Sequence, residues 1–247
     1  MSQIVEGSGK GPPPGRAPVW PEGQRVKCPD PQGVFHRTVF ADAAEVNPPL
    51  AETILALARA PEHRENRGRS LGGTKIYHLE DWGSPEADLL SERARELFRR
   101  VTGSPEAVID VSWANVYDCG DYVVPHSHTR AEASLVYIVD EGDPSPEDPA
   151  SGRFTFVDPR IASTCQFQKG HMTHALAPKM TAGTMIVFPG RLVHCVNPYS
   201  GTRPRISITW NINRVKLPGS LREVLARQGQ EQGENTGENT GPPPAAT

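Results

Sequence analysis

Three histidines carry the sharpest chemical signal in this sequence. His126 and His128 stand two apart in the run PHSH. On an extended strand, residues i and i+2 point to one face, so both imidazoles can reach one metal ion from one side of a sheet. Neutral imidazole suits iron, zinc, copper or nickel. His194 lies in FPGRLVHCVNP, after a strong strand-like run and a Pro-Gly turn. That places it at a strand edge facing a cavity opening. A lone HxH is a weak signal. A second pair, His171 and His174, reads either as ligands or as polar loop residues.

A second pair of residues adds to the first. Arg205 and Ser207 in RPRISITW are also two apart, and Arg205 follows His194 by eleven positions. A guanidinium presents a planar fork that matches a carboxylate, and a serine hydroxyl can donate to the same group. Alone, the pair is an ordinary strand edge. Beside a metal site, it is what anchors a dicarboxylate whose other end chelates the ion.

These residues need elements to hold them. From Ala107 onward, VIDVSWANVYD, ASLVYIVD, GRFTFVDP, GTMIVFP and RISITWNIN are short, rich in Val, Ile and aromatics, and separated by turn residues. That texture predicts a sandwich or barrel. Two helices precede it. Pro48-Pro49 introduces LAETILALARA, with Leu50, Ile54, Leu57 and Ala58 on one face, and Pro61 ends it. Ser84-Pro85-Glu86 starts the second, whose apolar face is Leu89, Leu90, Ala94, Leu97 and Phe98 and which runs to roughly Arg100 before Thr102-Gly103. Helices first and strands afterwards predict an α+β, mainly β, chain. Residues 1–30, rich in proline and glycine, read as a flexible arm with Trp20 as a docking point. Residues 31–227 read as one domain, with helical support over 48–103 and a β core over 107–213; the polar stretch 228–247, with its GENT repeat, reads as a disordered tail.

Composition narrows the class. The 247 residues carry a formal net charge of −3, which gives no electrostatic case for nucleic acid. Cys28, Cys119, Cys165 and Cys195 follow no pairing pattern and read as reduced thiols. No secretory signal and no membrane-spanning run is legible, so the expected location is cytoplasmic. A small-molecule or peptide substrate is expected, and the oligomeric state is open.

The order WANVYDCGDYVVPHSH, ASLVYIVD, GRFTFVDPR and GTMIVFPGRLVHCVNPYSGTRPRISITWN resembles the 2-oxoglutarate/Fe(II)-dependent oxygenase superfamily. More narrowly it is similar to a bacterial group of 2OG-Fe(II) oxygenases related to prolyl hydroxylases. The resemblance covers about residues 110–213 and is most specific from Gly183 to Asn211. It implies a double-stranded β-helix, the jelly-roll or cupin-like barrel, with Fe(II), 2-oxoglutarate and O2 as cofactor and cosubstrates. His126 and His194 take the family's two histidine positions. Arg205 and Ser207 match its Arg-x-Ser anchor, Tyr117 resembles a tyrosine that contacts the cosubstrate, and Asn115 shares the strand face of Tyr117.

The common facial triad is two histidines and one carboxylate. Here His128 stands where Asp or Glu is usual, and H-x-H is the usual form in the narrower group. Glu132, even-numbered like the histidines, is an alternative ligand by strand parity. It opens a rival reading, because Gly120 to Glu132 nearly reproduces the first cupin motif. A cupin-type metalloenzyme, acting as a 2-oxoglutarate-independent dioxygenase or isomerase, would use His126, His128, Glu132 and His194. A non-catalytic ligand-binding barrel is a third reading. The favoured expectation is a hydroxylase acting on an unactivated C–H bond of an amino acid, peptide or peptide-derived natural product. Arg160, His171 and His174, with the segment from Pro159 to Pro178 and the basic loop at Arg64, Arg67 and Arg69, are the candidates for substrate contact.

Overall fold

The computed structural model describes residues 17–219 apart from 31, 65–67, 145 and 158–175. Arg67, Arg160, His171, His174, Cys165 and the far tail lie outside the described residues, as does the side chain of Arg64.

The C-terminal strand β9 (Arg205–Asn213) explains the architecture. It reads RISITWNIN, polar and apolar in alternation, yet every one of its residues is buried. The apolar set Ile206, Ile208, Trp210 and Ile212 belongs to one core cluster together with the helices. The polar set Arg205, Ser207 and Thr209 lines a cavity on the opposite face. Both faces of the strand are thus covered by protein.

Six antiparallel strands form the larger sheet. They are β1 (His36–Val39), β2 (Thr74–Tyr77), β3 (Val108–Tyr117), β5 (Ala133–Asp140), β7 (Thr184–Pro189) and β9, in the order β1-β7-β5-β9-β3-β2. A smaller sheet holds β4 (Val123–His126), β8 (His194–Val196) and β6 (Phe154–Phe156), in the order β4-β8-β6. A second core cluster joins the two sheets through Phe154, Phe156, Val196, Ile138, Ile186 and Phe188. This is a double-stranded β-helix. Register fixes who faces the interior: Trp113 pairs with Thr209, Asn115 with Ser207 and Tyr117 with Arg205. All six therefore share one face of the sheet, because side chains alternate along paired strands.

Helices cover the outer face of the larger sheet. The helix α3 (Pro85–Thr102) begins with Ser84, whose hydroxyl accepts from the Ala87 amide, and ends at Gly103 with φ 69°. Its predicted apolar face is buried, and Trp210 Nε1 donates to Ser91 Oγ at 3.1 Å across the interface. A four-residue helix, α2 (Pro61–Arg64), precedes β2. The helix α1 (Ala43–Ala58) departs from the sequence expectation: it starts well before Pro48-Pro49 and carries both prolines inside. Tertiary contacts override the local signal. Asn47 is buried; its amide donates to Val139 O at 2.8 Å, and its carbonyl accepts from Tyr137 Oη at 2.6 Å. Replacing Asn47 with alanine leaves two buried groups unpaired. A loss of about 2–4 kcal/mol is expected, read as a lowered urea midpoint.

Residues 17–30, expected to belong to a flexible arm, lie against the domain. Arg93, fully buried, donates to the carbonyls of Pro18 and Val19 and pairs with Asp42. Trp20 meets Phe40 edge-on at 5.6 Å, with the Arg100 guanidinium 4.6 Å from the Trp20 ring centre. Among the described residues, no helix is long and apolar enough to cross a membrane.

Candidate metal centre

His126 ends β4 and His194 opens β8, and the register sets them directly opposite each other. Their ring centres are 4.4 Å apart. His126 Nδ1 lies 2.9 Å from Val124 O, and His194 Nδ1 lies 2.7 Å from Leu192 O. A carbonyl can only accept, so each Nδ1 carries the proton and each Nε2 keeps a free lone pair. Metal-binding histidines are held by such bonds. His194 stacks on Phe154 at 5.3 Å and meets Phe188 edge-on at 4.8 Å, which fixes its ring.

His128 arrives by another route than parity. Strand β4 stops at His126, and His128 sits in the following turn. Its amide donates to Gly190 O at 2.7 Å, and its carbonyl accepts from Ala131 N at 3.1 Å. Gly190 packs so closely that a Cβ there would stand 2.2 Å from Ala131 O. The ligand atoms of His126, His128 and His194 all lie within 4.8 Å of one another.

Glu132 is not brought into this cluster. The 128–131 turn breaks the strand, so even-numbered parity does not carry through to position 132. Glu132 is exposed, its Oε1 pairs with Arg214 Nε at 2.9 Å, and its Oε2 accepts from the Arg214 amide. The four-ligand cupin arrangement has no support in this geometry.

The same cavity is lined by Asn115, Tyr117, Arg205, Ser207 and Thr209, and by Lys75, Trp113 and Phe154. Arg205 is 6% exposed, and its Nη1 has no hydrogen-bond partner among the described residues. Its guanidinium carbon lies 5.0 Å from the Tyr117 ring centre. Burial raises the Tyr117 phenol above its ordinary value, while the Arg205 charge and hydrogen bonds with Ser207 and Arg205 oppose the rise. Burial lowers the Arg205 guanidinium, and Tyr117 partly offsets that. Of the basic loop, Arg69 is described and exposed, and it does not line the cavity. Cys28, Cys119 and Cys195 are free thiols. Sequence reasoning passed over Lys75, Trp113 Nε1 and the stacking ring of Phe154. Lys75 sits in a four-residue strand with no motif around it; Phe154 was legible only as a strand residue.

Burial pulls His128 and His194 down to about 3, with neighbouring imidazoles adding to the effect, and it lowers His126 as well. The rings are neutral at physiological pH, so metal binding there displaces no proton. The unfolded chain protonates its histidines below about pH 6.5, whereas the folded site resists. Stability of the metal-free protein is therefore expected to fall as pH drops from about 6.5 towards 3. Thermal unfolding measured from pH 7 to pH 5 (an approximate window) checks this. His128→Phe should flatten the dependence, and an equal slope in both proteins would contradict it.

Residues 111–211 match the family described as "Putative 2OG-Fe(II) oxygenase". No curated protein matches the chain in sequence. Solved structures share the fold. A prolyl-4-hydroxylase from Pseudomonas putida is 21% identical, with a TM-score of 0.51, over 74% of this chain and 94% of that one. EctD from S. alaskensis, solved with 2-oxoglutarate and 5-hydroxyectoine, is 17% identical, with a TM-score of 0.53, over 74% and 72%. SnoN, a non-haem α-ketoglutarate-dependent epimerase of nogalamycin biosynthesis, is 19% identical, with a TM-score of 0.52, over 72% and 76%. Members of the matched family use Fe(II), 2-oxoglutarate and O2. The residues present fit that set, since three neutral imidazoles bring their ligand atoms within 4.8 Å of one another and Nη1 of a buried guanidinium has no hydrogen-bond partner among the described residues. Over residues 111–211 the chain is thus similar to 2-oxoglutarate–Fe(II) oxygenases, and it shares its fold with a prolyl hydroxylase.

Proposed function

We propose that this oxygenase is a hydroxylase of an unactivated C–H bond in an amino acid, a peptide or a peptide-derived natural product. His126, His128 and His194 hold the iron through Nε2 of at least His126 and His194. Arg205 donates from its free Nη1 to the distal carboxylate of 2-oxoglutarate, with Ser207 and Tyr117 as further donors and Asn115 facing the same space. When bound, the iron and cosubstrate supply the oxidising chemistry: O2 and 2-oxoglutarate give succinate and CO2, and one oxygen atom enters the C–H bond. The chain's own residues position and enclose. Phe154, Val136 and Val196 wall the cavity and exclude water, and no side-chain base is required.

The observation that carries the reading is the unpaired Arg205 Nη1 in the cavity that holds the three imidazoles. A buried guanidinium N–H left without an acceptor is costly unless a ligand completes it. Hydroxylation is the outcome favoured by likeness to proteins named as prolyl hydroxylases, whereas one of the neighbours is named as an epimerase. Anaerobic titration of the iron(II) protein with 2-oxoglutarate should produce the visible charge-transfer band of the chelate. Product mass after oxygen is admitted separates hydroxylation, a gain of one oxygen atom, from epimerisation. An iron-loaded protein that gives no band refutes the reading.

A further inference from the structure

The site contains a charge that the proposed chemistry does not use. Lys75 lies on β2, an edge strand of the larger sheet, paired in register with Asn115, which pairs in turn with Ser207. Its ammonium is 5.3 Å from the centre of the Trp113 ring, and His128 meets the same ring at 5.7 Å. Lys75 lines the metal cavity, and no hydrogen bond or ion pair is formed by its Nζ among the described residues. Trp113 adds a buried Nε1–H that also lacks a partner.

Charge balance gives this lysine a meaning. Among the described residues no Asp or Glu lines the cavity, where Lys75 and Arg205 are both cationic and the imidazoles are neutral. Glu141 acts on Arg205 from the neighbouring side, but among the described residues no acidic group acts on Lys75. A divalent iron raises the total to four positive charges, of which dianionic 2-oxoglutarate cancels two. In the usual triad, a carboxylate ligand would cancel one more. Strands stand about 4.8 Å apart, so the backbone of Lys75 is roughly 10 Å from that of Ser207. The Lys75 ammonium stands by Trp113 and the Arg205 guanidinium by Tyr117, four residues further along β3, so the two cations occupy different levels of the cavity.

We propose that Lys75 receives a carboxylate of the substrate, making this an oxygenase of anionic, carboxylate-bearing molecules. The inference rests on the proposed function and names the substrate class for that same site. Lys75 acts as a specificity residue: its ammonium, beside Trp113, fixes the anionic end while a C–H bond on the same molecule faces the iron. Burial lowers the ammonium only to about 8, so it keeps its charge at neutral pH.

Acetate tests this as the smallest carboxylate. Wild type and Lys75→Met would each be loaded anaerobically with iron(II) and saturating 2-oxoglutarate, which occupies Arg205 and the chelating positions. Paramagnetic relaxation of the acetate methyl protons by the iron is then measured at constant ionic strength, with acetamide as the neutral control. Strong enhancement for acetate and little for acetamide is expected in wild type. A loss of about tenfold in acetate affinity is expected in Lys75→Met, the size of a charge-assisted hydrogen bond. Equal enhancement by acetate in the two proteins, or no acetate enhancement in wild type, would overturn the proposal. The chelate band in the same samples separates the two levels. Its absence in both proteins refutes the function and this inference with it. A band in both, with unchanged 2-oxoglutarate requirement, leaves the function standing whatever acetate does. A raised requirement in Lys75→Met would assign the lysine to the cosubstrate instead.

Discussion

His194→Ala is expected to lose iron and to stop 2-oxoglutarate turnover. His194 is 3% exposed and sits opposite His126 across β4 and β8. Its removal leaves two imidazoles, one of them on a turn. Loss of an outer-shell partner already costs about 10–100-fold in metal affinity, so loss of a ligand should exceed about 100-fold. Metal content after gel filtration and succinate formation are the two readouts. The ring also packs on Phe154 and Phe188, so folding must be checked by circular dichroism, with His194→Gln as a second, better filled variant. A folded variant with normal iron content and turnover would remove His194 from the ligand set.

Arg205→Ala should behave differently, which makes the pair informative. The guanidinium touches none of the three histidines by hydrogen bond, so iron affinity should change little. The 2-oxoglutarate requirement should rise by about 10–100-fold, the worth of one or two charge-assisted hydrogen bonds in a buried place. The titration of the chelate band reads both quantities at once. Gly152 presses on Arg205 from the side, with a would-be Cβ 3.0 Å from its Cδ, so the guanidinium has little freedom to seek another partner. An unchanged cosubstrate requirement would mean that the carboxylate is held elsewhere.

Much of this was legible in the sequence, and the reasons for the rest are specific. The strands β3, β5, β7 and β9 declare themselves through continuous Val, Ile and aromatic content. The strands β1, β2 and β4 have four residues each and contain His36, Lys75 and Pro125 in turn, and β8 has three residues. They exist because a neighbouring strand pairs with them, which is a non-local cause that propensity does not record. The start of α1 was hidden because Pro48-Pro49 is a strong local boundary signal, overridden by the buried bonds of Asn47. The three histidines were visible as a pair and a singleton, but their meeting depends on the His126–His194 register and the Gly190 turn. Parity predicted that Glu132 could join them, and a turn at 128–131 sends it to Arg214.

One strand joins the chemistry to the fold more tightly than any other. In β9 the odd positions from Arg205 to Thr209 serve the cavity, and the even positions from Ile206 to Ile212 hold the helices. The segment thus carries two messages interleaved in a single frame. A one-residue insertion would exchange them, turning isoleucines towards the metal and a guanidinium towards the helices. Few segments offer selection so little room: drift by single insertions is closed to β9, because catalysis and folding would be lost in the same step.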